Sequence, residues 1–391
     1  MWIKRDYEEA LARAARERPV VLLTGARQTG KTSLLRRVFP DHPFVSLDLP
    51  SEAETAERNP SLFLERHGSP LLIDEVQYAP ALFRHLKIAV EARREVRGQY
   101  ILTGSQKFTL MKGVSESLAG RVELLELEQL ALAEIRPAYS ATTVETTVER
   151  VLLRGGFPEL WEDPTIDAFG FYRSYVASYL ERDLREILNV TSLRDFERFL
   201  RACALRTGQL LNKADLARDV GISASTASEW LAALEASNIL HLVEPWFVNR
   251  SKSITRSPKL FLADTGLLLY LLNVRDEDDL FGSPNLGAIW ETFVFSEMRK
   301  LQERTTGSWS IHYWRDRGAE IDFLVHRGGR FDLYEAKWTE TPRERDSAGF
   351  AAATAAIGAE RVLSKTLVCR TRAPYPLAAG VEAVPVDRLA M

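Results

Sequence analysis

The chain has 391 residues, of which 46% are hydrophobic and 27% are charged, and its formal net charge is −3. This length predicts two to three domains, each able to bury a core of its own. The near-neutral charge excludes a protein coated in basic residues for gripping nucleic acid everywhere, so any nucleic-acid contact is expected from local patches.

The cysteine count and the hydropathy pattern exclude further classes of protein. Cys203 and Cys369 lie far apart and outside any C-x-x-C pattern. They indicate neither a disulfide framework nor a zinc site. No apolar stretch is long enough to cross a bilayer, and the first residues lack the apolar core of a signal peptide. These features predict a cytoplasmic protein with no membrane contact.

A phosphate-binding loop is the first motif along the chain. The apolar run Val20–Thr24 leads into GARQTGKT at positions 25–32, which has the pattern G-x-x-x-x-G-K-T. The two glycines let the backbone turn, so that amide groups and the N-terminus of the next helix point at a triphosphate. Lys31 is expected to reach the β- and γ-phosphates of ATP, and Thr32 to hold Mg²⁺. The predicted nucleotide-binding residues of this loop are Gly25, Ala26, Arg27, Gln28, Thr29, Gly30, Lys31, Thr32 and Ser33.

An acidic pair supplies the second half of the predicted site. The apolar run Pro70–Ile73 ends in Asp74 and Glu75. Such a run is typical of a central parallel strand, and ligands bind at the carboxyl ends of these strands. We expect Asp74 to bind Mg²⁺ and Glu75 to orient and deprotonate the attacking water. The alternative is a strand-end turn with two solvated carboxylates. The sequence therefore predicts hydrolysis of ATP as well as binding.

Two hydroxyls and one arginine complete the predicted ATPase site. The run Gln99–Thr103 is followed by Gly104 and Ser105. The hydroxyls of Thr103 and Ser105 are placed to sense the γ-phosphate or the attacking water from the adjacent strand. Arg121 is a candidate arginine finger, supplied to the site of a neighbouring subunit, and this role requires a homo-oligomer. Its alternative is a surface arginine at a helix end.

The alternation of strands and helices predicts the domain organisation. Strand-like runs alternate with helical stretches up to residue 137, which indicates an α/β fold with a parallel sheet and helices on both faces. We assign the ATPase domain to residues 1–137. Residues 138–208 are predicted to form a connector, at Tyr139–Thr147, and a helical segment.

Residues 209–274 predict a winged helix-turn-helix. A helix at Lys213–Asp219, a glycine turn and a helix at Ser223–Ser237 precede two strands. Between those strands, Asn249–Lys259 is locally basic, and its cations are suited to neutralise DNA phosphates. The second helix offers no Arg or Lys to read bases, so sequence-specific readout is not expected. The alternative role is a rigid interdomain coupler.

The last region, residues 286–391, has the element order of a restriction-endonuclease-like domain, the PD-(D/E)xK nuclease-like fold. A helix at Leu286–Leu301 precedes three strands, a helix and a fourth strand. Asp322 lies in the second of these strands, and Glu335 ends the third. On adjacent strands the two carboxylates are expected to converge on one or two Mg²⁺ or Mn²⁺ ions.

Two more side chains extend this predicted nuclease-like site. Lys337 lies two residues after Glu335, hence on the same sheet face, where it is placed to position or deprotonate a water. Glu291, or as an alternative Glu297, is expected to complete the acidic cluster from the preceding helix. Because an Asp followed by Glu-x-Lys arises often by chance, cleavage of DNA remains open against a fold that only binds or assembles.

Several motifs together resemble one family. In chain order they are GARQTGKTSLL, LLIDEVQYAP, ILTGSQ, SLAGRV, GGFPEL, SPKLFLADTGLLLYLL, WETFV, AEIDFLV and YEAKW. Over nearly the full chain this pattern is similar to the prokaryotic AAA+-like P-loop ATPases of the AAA-14 group that carry a C-terminal domain of unknown function 4143.

The resemblance implies a function and leaves one departure. It implies ATP binding and hydrolysis at Lys31, Thr32, Asp74 and Glu75, a winged-helix segment and a nuclease-like C-terminal domain. Thr103 and Ser105 stand where an asparagine sensor is usual in AAA+ proteins, so the mode of γ-phosphate sensing differs. No second sensor arginine is evident after the sheet.

Overall fold

Three β-sheets organise the part of the chain that the structure describes. This computed structural model describes residues 2–105, 117–138, 144–180, 192–247, 257–305 and 309–389. The fold is α/β, with a parallel sheet first, a helical middle region next and a mixed sheet at the C-terminal side. No helix in these ranges is long and apolar enough to cross a membrane.

The first sheet is five-stranded and entirely parallel, in the order β2-β3-β4-β1-β5. Its strands are β1 Val20–Thr24, β2 Phe44–Ser46, β3 Leu71–Asp74, β4 Tyr100–Thr103 and β5 Val122–Glu126. The helices of this region are α1 Glu8–Glu17, α2 Lys31–Val38, α3 Pro50–Arg58, α4 Pro60–His67 and α5 Leu82–Ala92. The parallel sheet predicted from the apolar runs is confirmed.

Strand β1 explains why these runs are apolar throughout. Val20 and Leu22 point into the core on one face of the sheet, and Val21 and Leu23 point into the core on the other. Helices cover both faces, so every residue of β1 is buried. The carboxyl ends of β1, β3 and β4 consequently meet at one edge, where the loops carrying the predicted ATPase residues begin.

The middle region is helical. Its helices are α6 Leu132–Ala138, α7 Val144–Arg154, α8 Pro158–Glu162, α9 Ala168–Tyr175 and α10 Leu193–Ala204, and α9 continues into a π-helical turn at Val176–Leu180. The predicted connector at Tyr139–Thr147 is shorter than expected, because α7 already begins at Val144. Residues 139–143 of that connector lie outside the described residues.

The two helices of the predicted helix-turn-helix lie between the first and second strands of a small antiparallel sheet of order β6-β8-β7. Its elements are β6 Gln209–Leu210, α11 Lys213–Val220, α12 Ala224–Ala236, β7 Leu240–Val243 and β8 Lys259–Leu262. Gly221 adopts the left-handed conformation that turns the chain between the helices, and the Ser223 hydroxyl caps α12. Residues 248–256, most of the predicted basic wing, lie outside the described residues. We call residues 209–262 the winged module.

The C-terminal sheet has six strands in the order β13-β14-β12-β11-β10-β9. Its strands are β9 Trp309–Asp316, β10 Ala319–Arg327, β11 Arg330–Ala336, β12 Val362–Cys369, β13 Tyr375–Pro376 and β14 Glu382–Pro385. The helices of this region are α13 Thr265–Leu271, α14 Glu277–Gly282, α15 Leu286–Thr305 and α16 Ala348–Ile357. The predicted order of one helix, three strands, a helix and a strand is therefore present, with α15 one turn longer than expected.

One hydrophobic core joins the helical region, the winged module and the C-terminal sheet. It includes Leu152 of α7, Trp230 of α12, Trp290 of α15 and Phe323 of β10. Trp230 packs edge-on against Phe196 of α10. A separate core fills the other face of the C-terminal sheet. The predicted regions from residue 138 onward thus bury their apolar surface together.

Asp264 fastens this shared core at one point. Its side chain is 4% exposed and accepts hydrogen bonds from the Gly156 amide at 2.7 Å, the Tyr172 hydroxyl at 2.8 Å and the Leu267 amide at 2.9 Å. The last contact caps α13, and the first holds the turn before α8. One carboxylate therefore joins three segments that are distant in sequence.

We predict that Asp264→Ala destabilises the protein by about 3 kcal/mol, because it removes a helix cap and leaves buried donors unpaired. Asp276→Ala is the matched control, since Asp276 caps the exposed helix α14 through the Asp279 amide, and it should cost about 1 kcal/mol or less. Urea unfolding followed by tryptophan fluorescence measures both. Equal losses of stability in the two variants would refute the special role of Asp264.

Candidate functional site

The loop between β1 and α2 is a concave run of backbone that only glycine permits at its ends. Gly25 has φ +141° and Gly30 has φ +87°, both in regions that side chains disfavour. A Cβ at Gly25 would also collide with the Leu127 carbonyl oxygen. The loop therefore rests directly on the segment that follows β5.

Lys31 folds over this loop. Its Nζ donates to the carbonyl oxygens of Gly25 at 3.0 Å and Ala26 at 2.8 Å, and the residue is 6% exposed. Burial lowers the pKa of Lys31 to about 8, against the opposing charges of Glu75 and Asp74. An ammonium held by neutral carbonyls in this way can exchange those partners for an anionic group.

Asp74 is the centre of a cluster of hydroxyls. The Thr32 hydroxyl donates to Asp74 Oδ1 at 2.8 Å, and the Thr103 hydroxyl donates to the same oxygen at 2.5 Å. Ser46 of β2 donates to Oδ2 at 3.4 Å. Strands β2, β3 and β4 and the start of α2 thus place four oxygen-bearing side chains at one edge of the sheet.

Glu75 stands beside this cluster in a left-handed backbone conformation, with φ 54°. Its backbone amide donates to Thr103 Oγ1 at 3.1 Å, and its Oε2 accepts from the Ser105 hydroxyl at 3.3 Å and from the side-chain amide of Gln77. A non-glycine residue with positive φ at a site of this kind indicates local strain. The two predicted sensor hydroxyls therefore contact the two predicted acidic residues directly.

Arg5 was not predicted as part of this site. Its side chain is buried and donates to the Thr29 carbonyl at 3.0 Å, the Glu128 carbonyl at 2.8 Å and Glu134 Oε1 at 3.0 Å. The guanidinium thereby ties the phosphate loop to the segment after β5 and to α6. Asp48, also not predicted, lies close to the acidic pair, and its pKa is raised by burial and by the charges of Glu75 and Asp74.

Arg121 lies away from these residues. It precedes β5, at the opposite edge of the sheet from the phosphate loop, and its carbonyl accepts from the Val20 amide at 3.3 Å. Its guanidinium forms an ion pair with Glu91 of α5. Within one chain, therefore, Arg121 is no part of the site, and its role as a finger for a neighbouring subunit stays a prediction.

The predicted nuclease-like residues lie together at a second site. Strands β10 and β11 are antiparallel neighbours, which sets Asp322 beside Glu335. Lys337 Nζ lies 2.8 Å from Glu335 Oε2 and 3.6 Å from Asp322 Oδ2. Glu291 reaches the same cluster from α15, and Glu320 adds a fourth carboxylate.

Lys259 of β8 completes this second site and was not predicted there. Its Nζ lies 2.9 Å from Glu291 Oε1, 2.5 Å from Glu320 Oε1 and 3.7 Å from Asp322 Oδ1. Lys259 was predicted among the cations of the wing, but its side chain is buried and faces the cluster. Glu297, the alternative to Glu291, lies elsewhere, with Lys300 and the Leu132 amide as its partners.

The pKa values at the second site follow from burial and pairing. Burial raises the pKa of Glu291, with Asp322 adding to the rise and Lys259 opposing it. Burial likewise raises the pKa of Glu335, which Asp322 reinforces and Lys337 opposes. For Lys259, burial acts to lower the pKa, but the charges of Glu291, Asp322 and Glu320 outweigh it and hold the pKa above its usual range.

The two sites differ in their fit to a divalent metal. At the first, the hydroxyl of Thr32 and the carboxylate of Asp74 form a pair of hard oxygen ligands suited to Mg²⁺. At the second, a lysine ammonium stands between the carboxylates, so the donor set does not fit the Mg²⁺ or Mn²⁺ predicted for Asp322, Glu335 and Glu291. Across the described ranges, no group of three or more His, Cys, Asp or Glu side chains is arranged to hold a metal ion.

Sequence signals existed for some of the residues that were missed. Asp264 precedes a helical run in ADTGLLLYLL, which is the position of an N-cap. Lys259 opens an otherwise apolar strand, KLFL, where an unpaired lysine is out of place. Arg5 and Ser46 lie in ordinary local sequence and are identified only by the folded contacts.

Three family models match successive parts of the chain. An AAA domain matches residues 17–136, a domain of unknown function 8612 matches residues 145–278, and a domain of unknown function 4143 matches residues 286–389. The chain is 34% identical over 389 residues to an uncharacterized protein of Mycobacterium tuberculosis, covering 99% of this chain and 84% of that protein. An uncharacterized protein of Mycobacterium bovis matches to the same extent.

Among solved structures, a Walker-type ATPase of Pyrococcus abyssi is similar at 18% identity and a TM-score of 0.49. That match covers 69% of this chain and 96% of the archaeal chain.

We predict that binding of ATP with Mg²⁺ takes up protons near pH 8. With a pKa of about 8, about half of the Lys31 side chains are neutral at that pH, and contact with phosphates favours the charged form. Calorimetric titrations at pH 8 in two buffers should therefore show an uptake of about half a proton per ATP bound. The binding heats in the two buffers should differ by that number multiplied by the difference in their ionisation enthalpies.

Two variants control this measurement. Lys31→Ala should abolish binding, whereas Lys31→Arg keeps its charge at pH 8, so any remaining binding should show no buffer-dependent heat. Identical heats for the unmodified protein in the two buffers would contradict the prediction.

Proposed function

This chain belongs to the family of AAA-domain P-loop ATPases that carry the domain of unknown function 4143, and from that premise we propose that it hydrolyses ATP at the edge of its parallel sheet. The observation that carries the proposal is that the Thr32 and Thr103 hydroxyls both contact one oxygen of Asp74, directly beside Glu75. These are the groups that hydrolysis of a triphosphate requires, and they come from separate segments of the chain.

Binding of ATP rests on the phosphate loop. The amides of residues 25–33 and the N-terminus of α2 face the phosphates, and Lys31 exchanges its carbonyl partners for phosphate oxygens. Thr32 and Asp74 would hold Mg²⁺. When bound, this ion neutralises charge on the β- and γ-phosphates.

Glu75 acts as the general base. Its carboxylate accepts a proton from water as the water oxygen bonds to the γ-phosphorus, and the bond to the bridging oxygen breaks to release ADP. Ser105 and Gln77 hold the carboxylate of Glu75, and Thr103 holds its amide. The charge that develops on the phosphates is stabilised by Lys31.

We predict that Glu75→Gln retains ATP binding and lowers kcat by about a hundredfold or more, since the amide cannot accept the proton. Phosphate release and calorimetric binding of ATP measure the two properties separately. Glu95→Gln, an exposed site on the same domain, is the matched control and should leave both unchanged. Ordinary turnover by the Glu75→Gln variant would remove Glu75 from the role of base.

Nucleotide state is relayed through the segment after β5. The Leu127 carbonyl lies against Gly25, the Leu130 amide donates to the Gly156 carbonyl at 2.8 Å, and the Leu132 amide donates to Glu297 of α15 at 3.0 Å. One short stretch, residues 127–132, thus contacts the phosphate loop, the helical region and the C-terminal region. A shift of the loop on binding or hydrolysis reaches both of the others through it.

The C-terminal half is the part that acts on DNA in this proposal. The helix-turn-helix and the basic segment 249–256, which follows β7 and precedes β8, support contact with phosphates rather than base readout. A homo-oligomer would allow Arg121 to serve a neighbouring subunit. The two buried cysteine thiols suit the reducing conditions of the cytoplasm.

We predict that the triple variant Arg250→Ala, Lys252→Ala, Arg256→Ala binds duplex DNA more weakly. The slope of log affinity against log salt should fall by about 2.7, or about 0.9 for each phosphate that is no longer neutralised. Fluorescence anisotropy with a labelled duplex over a KCl series gives this slope. Removal of three exposed cations from the ATPase domain, Arg58, Arg84 and Lys87, is the control and should leave it unchanged. Equal slopes in both triple variants would argue against DNA contact by this segment.

The alternative function is a nucleotide-dependent switch whose nuclease-like domain is a catalytically inactive platform for binding or assembly. The specific observation that favours it is Lys259, which stands among the carboxylates that a nuclease would use to bind metal. Both functions share the ATPase, and they differ only in the chemistry of the second site.

A further inference from the structure

The second site is a largely buried cluster of paired charges. Its carboxylates belong to Glu291 on α15, Glu320 and Asp322 on β10 and Glu335 on β11, and its ammonium groups to Lys259 on β8 and Lys337 after β11. Lys259 is 3% exposed, and Asp322 and Glu335 are similarly buried. Every carboxylate of the cluster therefore has a lysine as its direct partner.

We infer that Lys259 is the resident cation of this cluster, that it takes the position of a divalent metal, and that the site serves to lock the winged module onto the C-terminal sheet. The inference goes beyond ATP hydrolysis and does not depend on it. It follows from the disagreement between the metal site predicted from sequence and the side chains present.

The oxygens that a metal would need are already engaged. Asp322 Oδ1 faces Lys259, while Asp322 Oδ2 accepts from the Ala336 amide at 3.0 Å and faces Lys337. Glu291 Oε1 and Glu320 Oε1 both contact the Lys259 ammonium. A divalent ion at this position would have to displace a buried positive charge from its three partners.

Strand β8, which carries Lys259, is fixed along its length, and this opposes withdrawal of the lysine. The strand pairs with β6 on one side and β7 on the other. Immediately before it, the Ser257 carbonyl accepts from the Tyr313 hydroxyl of β9 at 2.6 Å. The ammonium also lies 5.7 Å from the centre of the Tyr313 ring.

Two more contacts join the modules beside the cluster, one from the winged module and one from the residue just before it. The backbone after β7 joins the C-terminal sheet, since the Trp246 amide donates to the Tyr313 carbonyl at 2.7 Å and the Tyr313 amide to the Glu244 carbonyl at 3.3 Å. Gly208, just before β6, lies against Glu291, so that a Cβ there would come within 3.2 Å of Glu291 Oε2. The cluster is thus an internal interface between the two modules.

Binding of Mn²⁺ to the full-length protein tests this inference without reference to ATP. All proteins carry Asp74→Asn and are kept free of nucleotide, so that the first site is not counted, and free Mn²⁺ is measured by electron paramagnetic resonance. The parent is expected to bind no Mn²⁺ at the cluster. Lys259→Met removes the competing charge and should bind one Mn²⁺ per chain. Its affinity should be roughly tenfold or more above the upper limit measured for the parent.

Two further variants assign the bound ion. Adding Asp322→Asn to Lys259→Met should abolish the gain. Lys365→Met, which removes a lysine of β12 that contacts the Ala379 carbonyl and not the cluster, should behave as the parent. Thermal melting followed by circular dichroism reports whether each protein is folded, and Lys259→Gln replaces Lys259→Met if the methionine variant does not fold.

Two results would overturn the inference. One is a parent that binds Mn²⁺ and fails to do so with Asp322→Asn, since the metal and Lys259 would then coexist. The other is a folded Lys259 variant that gains no Mn²⁺. If neither Lys259 variant folds, the comparison of the parent with its Asp322→Asn version decides: metal that depends on Asp322 refutes the inference, and no metal in either protein supports it. None of these results bears on turnover at Glu75.

Discussion

The buried guanidinium of Arg5 is the contact on which the arrangement of the ATPase region depends. It binds the Thr29 carbonyl of the phosphate loop, the Glu128 carbonyl and the Glu134 carboxylate at once. A planar group with donors in several directions can satisfy three such acceptors, whereas an ammonium would be less well matched to their geometry. Because Glu134 supplies the opposite charge, the arginine is stable in a buried place. The arginine therefore fixes the position of the phosphate loop relative to the segment after β5.

Two buried lysines with opposite electrostatics define the two sites. Lys31 is held by neutral carbonyls, and burial lowers its pKa. A bound anion would therefore stabilise its charged form. Lys259 is held by carboxylates whose charges outweigh burial and raise its pKa, so its charge is already compensated. The same side chain is thus poised to receive a ligand at one edge of the molecule and committed to internal partners at another.

Much of the fold followed from local sequence, and the missing parts have physical reasons. The runs at Val20, Leu71 and Tyr100 are apolar throughout because both sheet faces are covered, and short uninterrupted apolar runs of this kind are visible in the sequence. The acidic pair and the loop could be placed because strand ends share an edge. Two of the three partners of Arg5 lie more than 120 residues away, so no local pattern indicates its role. Lys259 stands out in an apolar strand, but its partner lies more than 30 residues away, so the sequence does not identify it. The shared core was not predicted for the same reason, because it depends on contacts between regions that are distant in sequence.

That shared core bears on how the chain is made. The apolar clusters on the two faces of the parallel sheet draw only on residues between Trp2 and Leu127, so they can close while the ribosome is still translating the remainder. The other large cluster contains Ile3 and residues from Leu130 to Val386, so its helices remain partly uncovered until the final strand has been made. During much of its synthesis, the nascent protein would therefore combine a folded parallel sheet with helices whose apolar faces are exposed. Exposed apolar surface of this kind is what chaperones bind.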